Sequence, residues 1–213
     1  CIGVDVSGVE PIPNGIGVEI YDNAEENTIA ENLIAFNRGA GLKIRSGTGN
    51  VFQHNTVQQN AGLAAQIALG NVVVDNDFSD NGLNVVQVAG GTLNGRTETW
   101  TLQGELDTYL VSQYADITIA PDSTWVISSG VNVQFDYGLG AYIAGALLVS
   151  GTAEAPVRIS GPQFFAYPLS GDWDGLYFAP GSVGALRYAE VSFAESGLHV
   201  EGAVNLHSSI IAS

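Results

Sequence analysis

Apolar residues in the first ninety positions come in short clusters separated by single polar posts. In NTIAENLIAFNRGAGLKI, asparagine stands at 27, 32 and 37. This spacing fits neither the 3.6-residue period of a helix nor the strict alternation of a long strand. The arrangement returns in NVFQHNTVQQNAGLAAQI, with Asn50, Asn55 and Asn60, and in NVVVDNDFSDNGLNVVQV, with Asn71, Asn76 and Asn81. From Asn27 to Asn50 is 23 residues and from Asn50 to Asn71 is 21. A repeat of this length predicts a solenoid, whose coils bury their apolar sides only by stacking on one another.

Aligning the coils gives three apolar columns: Ile29, Phe52 and Val73; Ile34, Val57 and Phe78; and Leu42, Leu63 and Leu83, each of the last three following a glycine. They predict three short strands per coil, with successive coils pairing in parallel about 4.8 Å apart. The nine asparagines are then corner posts. Asparagine tolerates a left-handed backbone, and its amide can bond to the asparagine of the next coil, forming a structural ladder along the axis. After Gly91 the asparagines thin out. TLNGRTETWTLQGE marks a boundary between Asn-ladder coils over 1–91 and a second segment over 92–213 that continues the same architecture. There, Gly175-Leu176-Tyr177-Phe178 aligns with Gly197-Leu198-His199-Val200, so the coil length persists. The prediction is an all-β solenoid of roughly nine to ten coils of about 20–24 residues.

Charge narrows the partners. The 213 residues carry 22 acids against 6 bases, a net charge of −16, which repels nucleic acid and anionic lipid. No apolar run reaches the length of a membrane-spanning helix. The chain holds no methionine and one cysteine; it reads as a processed chain or a piece of a longer one, with Cys1 an ordinary small buried residue. Its terminal stretches read as interrupted coils. Itself or neighbouring segments of a longer chain, packed end to end or laterally, are therefore expected partners, with glycans a further class.

The segment IGVDVSGVEPIPNGIGVEIYDNAEENTIAENLIAFNRGAGLKI resembles a repeat of large bacterial cell-surface and secreted proteins built as right-handed parallel β-helices of the pectin-lyase-like type. ITIAPDSTWVISSGVNVQF, GTAEAPVRISG and GDWDGLYFAPGS resemble a second version of the same fold. The resemblance implies a right-handed β-helix and an extracellular or cell-surface setting. The scaffold serves lyases, epimerases, adhesins and inert fibres alike, so function has to come from the residues.

A uronate lyase needs carboxylates to hold calcium and a nearby Arg or Lys as base. The available bases are Arg38, Lys43, Arg45, Arg96, Arg158 and Arg187. Lys43 and Arg45 project outward beside Glu19, where an ion pair between Glu19 and Lys43 is expected. Glu31, His54 and Asp75 each precede the middle asparagine of a coil and form a candidate charge or metal column. Asp75, Asp77 and Asp80, and again Asp172 and Asp174, are candidates for weak calcium binding; no other cofactor is expected, and no catalytic set emerges. Tyr137, Tyr142, Tyr177 and Trp173 are the outward aromatics on which a sugar ring could stack. The function expected is a non-catalytic extracellular β-solenoid, a structural or adhesive segment of a bacterial surface or fibre-forming protein. A polysaccharide lyase-like enzyme or glycan-binding module is the alternative.

Overall fold

A computed structural model describes residues 1–163 and 169–212, with the side chains of residues 113 and 114 left aside. Among the described residues every regular element is a strand, and no helix is long and apolar enough to cross a membrane. The chain forms two compact units: residues 1–88 with 102–108, and residues 89–101 with 109–213. Both are parallel β-solenoids, with about eight turns between them, fewer than the nine or ten expected. Coils lengthen beyond the 21- to 23-residue repeat, up to 37 residues from Ala146 to its partner Val183, so the same chain makes fewer turns.

Each coil of the first unit has three short sides. Thr28–Ala30, Val51–Gln53 and Val72–Val74 make one sheet; Leu33–Ala35, Thr56–Gln58 and Asp77–Ser79 the next; Val18–Ile20, Leu42–Ile44 and Leu63–Ala68 stack in the third. Ile29 faces Phe52 and Val73 in register, and Ile34 faces Val57 and Phe78. Phe52, Val57 and Phe78 are fully buried, each burial stabilising by roughly 1.5–3 kcal/mol relative to exposure. The third column differs from expectation. Leu42 pairs with Ala65 instead of Leu63, because the coil keeps the same 23-residue step that joins Asn37 to Asn60.

The corners explain the asparagines. Asn60 Oδ1 accepts from both the backbone N–H and the side-chain amide of Asn37, at 3.0 and 2.8 Å. Its own amide donates to Ile34 O, Gln58 O and Asn81 Oδ1. Three such ladders run through the unit: Asn27, Asn50 and Asn71; Asn32, Asn55 and Asn76; and Asn37, Asn60 and Asn81. Asn14 adds a rung to the third, and Gln103 continues the second by accepting from Asn76 N–H and donating to Val73 O.

The left-handed backbone lies one position earlier than expected. Glu26, Gly49 and Gly70 precede the first ladder, Glu31, His54 and Asp75 the second, and Phe36, Gln59 and Asp80 the third, and all have positive φ. A left-handed residue swings the chain around the corner. The following asparagine turns its amide inward, where the carbonyls of two coils need donors.

The second unit replaces amides with rings. One sheet stacks Thr97–Trp100, Thr124–Ser128, Ala146–Ser150, Val183–Arg187 and Ala203–His207. Another side carries Asn132–Phe135, Val157–Ser160, Ala189–Val191 and Ile210–Ile211, and the last side carries Gly140–Ile143, Trp173–Phe178 and Ala194–Val200. Trp100 stacks on Tyr109 at 4.7 Å and meets Trp125 edge-on, while Phe135 stacks on Trp173 at 4.8 Å. Trp173 was expected outside, yet it is fully buried, and its indole N–H donates to Ser192 O. Cys1 departs from expectation the other way, as an exposed free thiol.

Candidate functional site

The outer side of Gly140–Ile143, Trp173–Phe178 and Ala194–Val200 carries an aromatic ladder. Tyr142, Tyr177 and His199 are register partners on adjacent strands. Their rings stack at 5.0 and 4.8 Å, with interplanar angles of 11° and 26°. Parallel pairing in register fixes this separation: one ring per coil at one position sits at strand spacing, close to aromatic contact distance. Tyr142 is 44% exposed, so the outer side of the ladder meets solvent.

A β-bulge builds the rest. Trp173 points into the core and Asp174 outward, but the register shifts between Gly175 and Leu176. Leu176 and Phe178 then face inward and Tyr177 outward. Strict alternation would place Trp173, Gly175 and Tyr177 on one face; the positive φ of Gly175 breaks it and brings Asp174 and Tyr177, three apart, to the same outer surface, while the extra residue of the bulge, Gly197, lies on the neighbouring strand. Gly175 is required here. Its φ is +108°, and a Cβ on it would come within 1.7 Å of Ser196 O.

The result is a groove of about 490 Å³ lined on one side by Tyr142, Tyr177 and His199 and on the other by Asp116, Asp174 and Glu195. This volume is in the range of small-ligand sites. Asp116 is anchored by accepting from Gly140 N–H at 2.9 Å. Desolvation by its surroundings raises the Asp174 carboxyl above the usual carboxylate range, and the charges of Asp116 and Glu195 add to this. At the far edge, Tyr177 Oη donates to Glu201 Oε2 at 2.6 Å and His199 Nε2 lies 3.5 Å from Glu201 Oε1. These bonds hold Glu201 below its usual range, Tyr177 contributing most, and Glu201 in turn pushes the Tyr177 phenol up to about 12. Glu201 thus fixes the polar ends of two rings, while the faces of Tyr177 are covered by Tyr142 and His199.

The other candidates lie elsewhere. Glu19 and Lys43 share a register position, but the carboxylate of Glu19 pairs with Arg45. Arginine Nε–H reaches along the strand to that carboxylate, which leaves Lys43 outside the pair. Arg158 pairs with Glu190 at 2.9 Å, and Arg187 lies over the Tyr188 ring. Among the described residues, no Arg or Lys lines the groove. Glu31, His54 and Asp75 all stand exposed at left-handed corners. Among the described residues, no three His, Cys, Asp or Glu side chains converge to hold a metal, there or at Asp75, Asp77 and Asp80. Asp172 accepts from Leu169 N–H at 2.6 Å. Tyr137 is exposed but does not line the groove.

The sequence reading had named the tyrosines but not Asp116, Glu195 or His199 as their neighbours. A usable signal existed: the aligned Tyr177 and His199 columns predict a ring on a ring. The carboxylates required the bulge, which one sequence does not announce.

No curated protein and no solved structure matches the chain. Residues 2–98 match the family described as right handed beta helix region; the described residues form a parallel β-solenoid, and the groove lies beyond the matched residues.

Proposed function

We propose that this chain is a non-catalytic, glycan-binding β-solenoid segment that acts outside the cell or on its surface. The coils supply a rigid scaffold, and the Tyr142, Tyr177 and His199 ladder holds a sugar chain against its face. The observation that carries this reading is the solvent-facing ring stack beside a row of carboxylates. Sugar rings offer apolar C–H faces that pack on aromatic rings and equatorial hydroxyls that donate to carboxylates. Tyrosine suits this role because it is broad, stiff and wettable at its tip.

The test is retention on a panel of insoluble polysaccharides, wild type against Tyr142→Ala and Tyr177→Ala. Retention by at least one polysaccharide that falls about tenfold or more in either variant is expected; equal retention of all three proteins would refute the reading. A tenfold change is about 1.4 kcal/mol.

One observation favours a second reading, glycoside hydrolysis. Asp174 has the raised carboxyl of a proton donor, with two further carboxylates beside it. Release of new reducing ends that disappears in Asp174→Asn would establish it. A lyase is disfavoured, because among the described residues no Arg or Lys lines the groove to take the proton next to a uronate carboxylate.

A further inference from the structure

The groove wall also says which sugars fit. We propose that its ligand is a sugar chain bearing free primary amines, an inference that rests on the glycan-binding reading above. Asp116, Asp174 and Glu195 line one side, Glu201 stands at the ladder's edge, and among the described residues no Lys or Arg lines the groove to balance them. A uronate would bring its own negative charge against three carboxylates. An ammonium reverses the sign of every one of those contacts.

The rings supply the other half of the site. Tyr177 is stacked between Tyr142 and His199, so the ladder presents its outward ring edges beside the acids, and the apolar C–H surface of a sugar can pack against them. An amino sugar therefore satisfies both walls at once: its C–H face on the ring stack and its ammonium on the acids. A neutral or N-acetylated sugar satisfies only the first. Repulsion from Asp116 and Glu195 and incomplete hydration already penalise the charge on Asp174, and a bound cation relieves both. The net charge of −16 adds a field that concentrates cationic ligands at the surface.

The experiment is calorimetric titration at about pH 6, where primary amines are protonated, with three tetrasaccharides of equal length: glucosamine, N-acetylglucosamine and galacturonate. The glucosamine oligomer is expected to bind about tenfold or more tighter than the N-acetylated one and to weaken as salt is raised. Asp174→Asn with Glu195→Gln should remove that preference, weakening the glucosamine oligomer about tenfold more than the N-acetylated one. Equal or tighter binding of the N-acetylated or uronate oligomer would overturn the amine assignment and leave the glycan reading standing. If no oligomer binds, or if Tyr177→Ala leaves binding unchanged, the glycan reading fails and this inference fails with it.

Discussion

The outward column on one side of the first unit reads Glu19, Lys43, Gln66, whereas in the second unit an outward column reads Tyr142, Tyr177, His199. Both are stacks of parallel-strand register partners. The first presents flexible polar side chains, one of them outside the neighbouring ion pair; the second presents three stacked rings facing three carboxylates. The interiors differ as well. Amide ladders join the coils of the first unit, while stacked tryptophan, tyrosine and phenylalanine fill much of the second. The lesson is a division of labour within one architecture. Corner and core residues fix where each coil lies, which leaves the outward positions free to carry whatever chemistry a coil supports.

The contrast can be broken by substitution, starting inside. Trp173→Ala removes a fully buried ring, its stack on Phe135 and the donor to Ser192 O; the expected loss is about 3–5 kcal/mol. Urea unfolding followed by tryptophan emission measures it, since Trp100, Trp125 and Trp173 all belong to the second unit. Asn60→Ala comes next. It leaves Ile34 O and Asn37 N–H without their partner in a buried corner, for a loss of about 2–4 kcal/mol, seen in far-ultraviolet circular dichroism. Asn27→Ala, at the exposed end of its ladder, should cost about 1 kcal/mol or less. If Asn60→Ala were as mild as Asn27→Ala, the ladders would be ornament and the apolar columns alone would hold the first unit.

The smallest effect has a sign that the groove predicts. Asp174 lines the groove beside Asp116 and Glu195, and its folded-state carboxyl is raised. A raised acid favours the folded state fully below its unfolded value and loses that contribution as pH rises through the folded one. Above the carboxylate range the charged Asp174 is therefore a slight burden. Asp174→Asn should raise the melting temperature a little at neutral pH, with the difference shrinking as pH falls through the carboxylate range. A lower melting temperature at neutral pH would mean that Asp174 holds the bulge instead of waiting for a ligand.

Much of the fold could be read from asparagine spacing because a corner needs an amide at a fixed place in every coil, so the constraint repeats and becomes visible. The Ile29–Phe52–Val73 and Ile34–Val57–Phe78 columns follow from the same constraint. What escaped detection had no period. The Leu42–Ala65 pairing required knowing that 23, not 21, is the local step. Glu19 pairing with Arg45 instead of Lys43 depends on side-chain reach. The inward turn of Trp173 depends on the break in alternation at Gly175, whose φ is positive, and the same break gathers Asp174 and Tyr177 on one face. The groove's two walls were thus present in the sequence, but their meeting was not.

The central claim is that the ring ladder, not the solenoid at large, meets the ligand. The measurement that tests it most directly is nuclear magnetic resonance of the aromatic ring protons during titration with the retained oligosaccharide. The account predicts saturable shifts of the Tyr142, Tyr177 and His199 rings, with Tyr21 and Tyr137, also exposed, unmoved. Shifts confined to Tyr21 or Tyr137, or none at the ladder under saturating ligand, would contradict it.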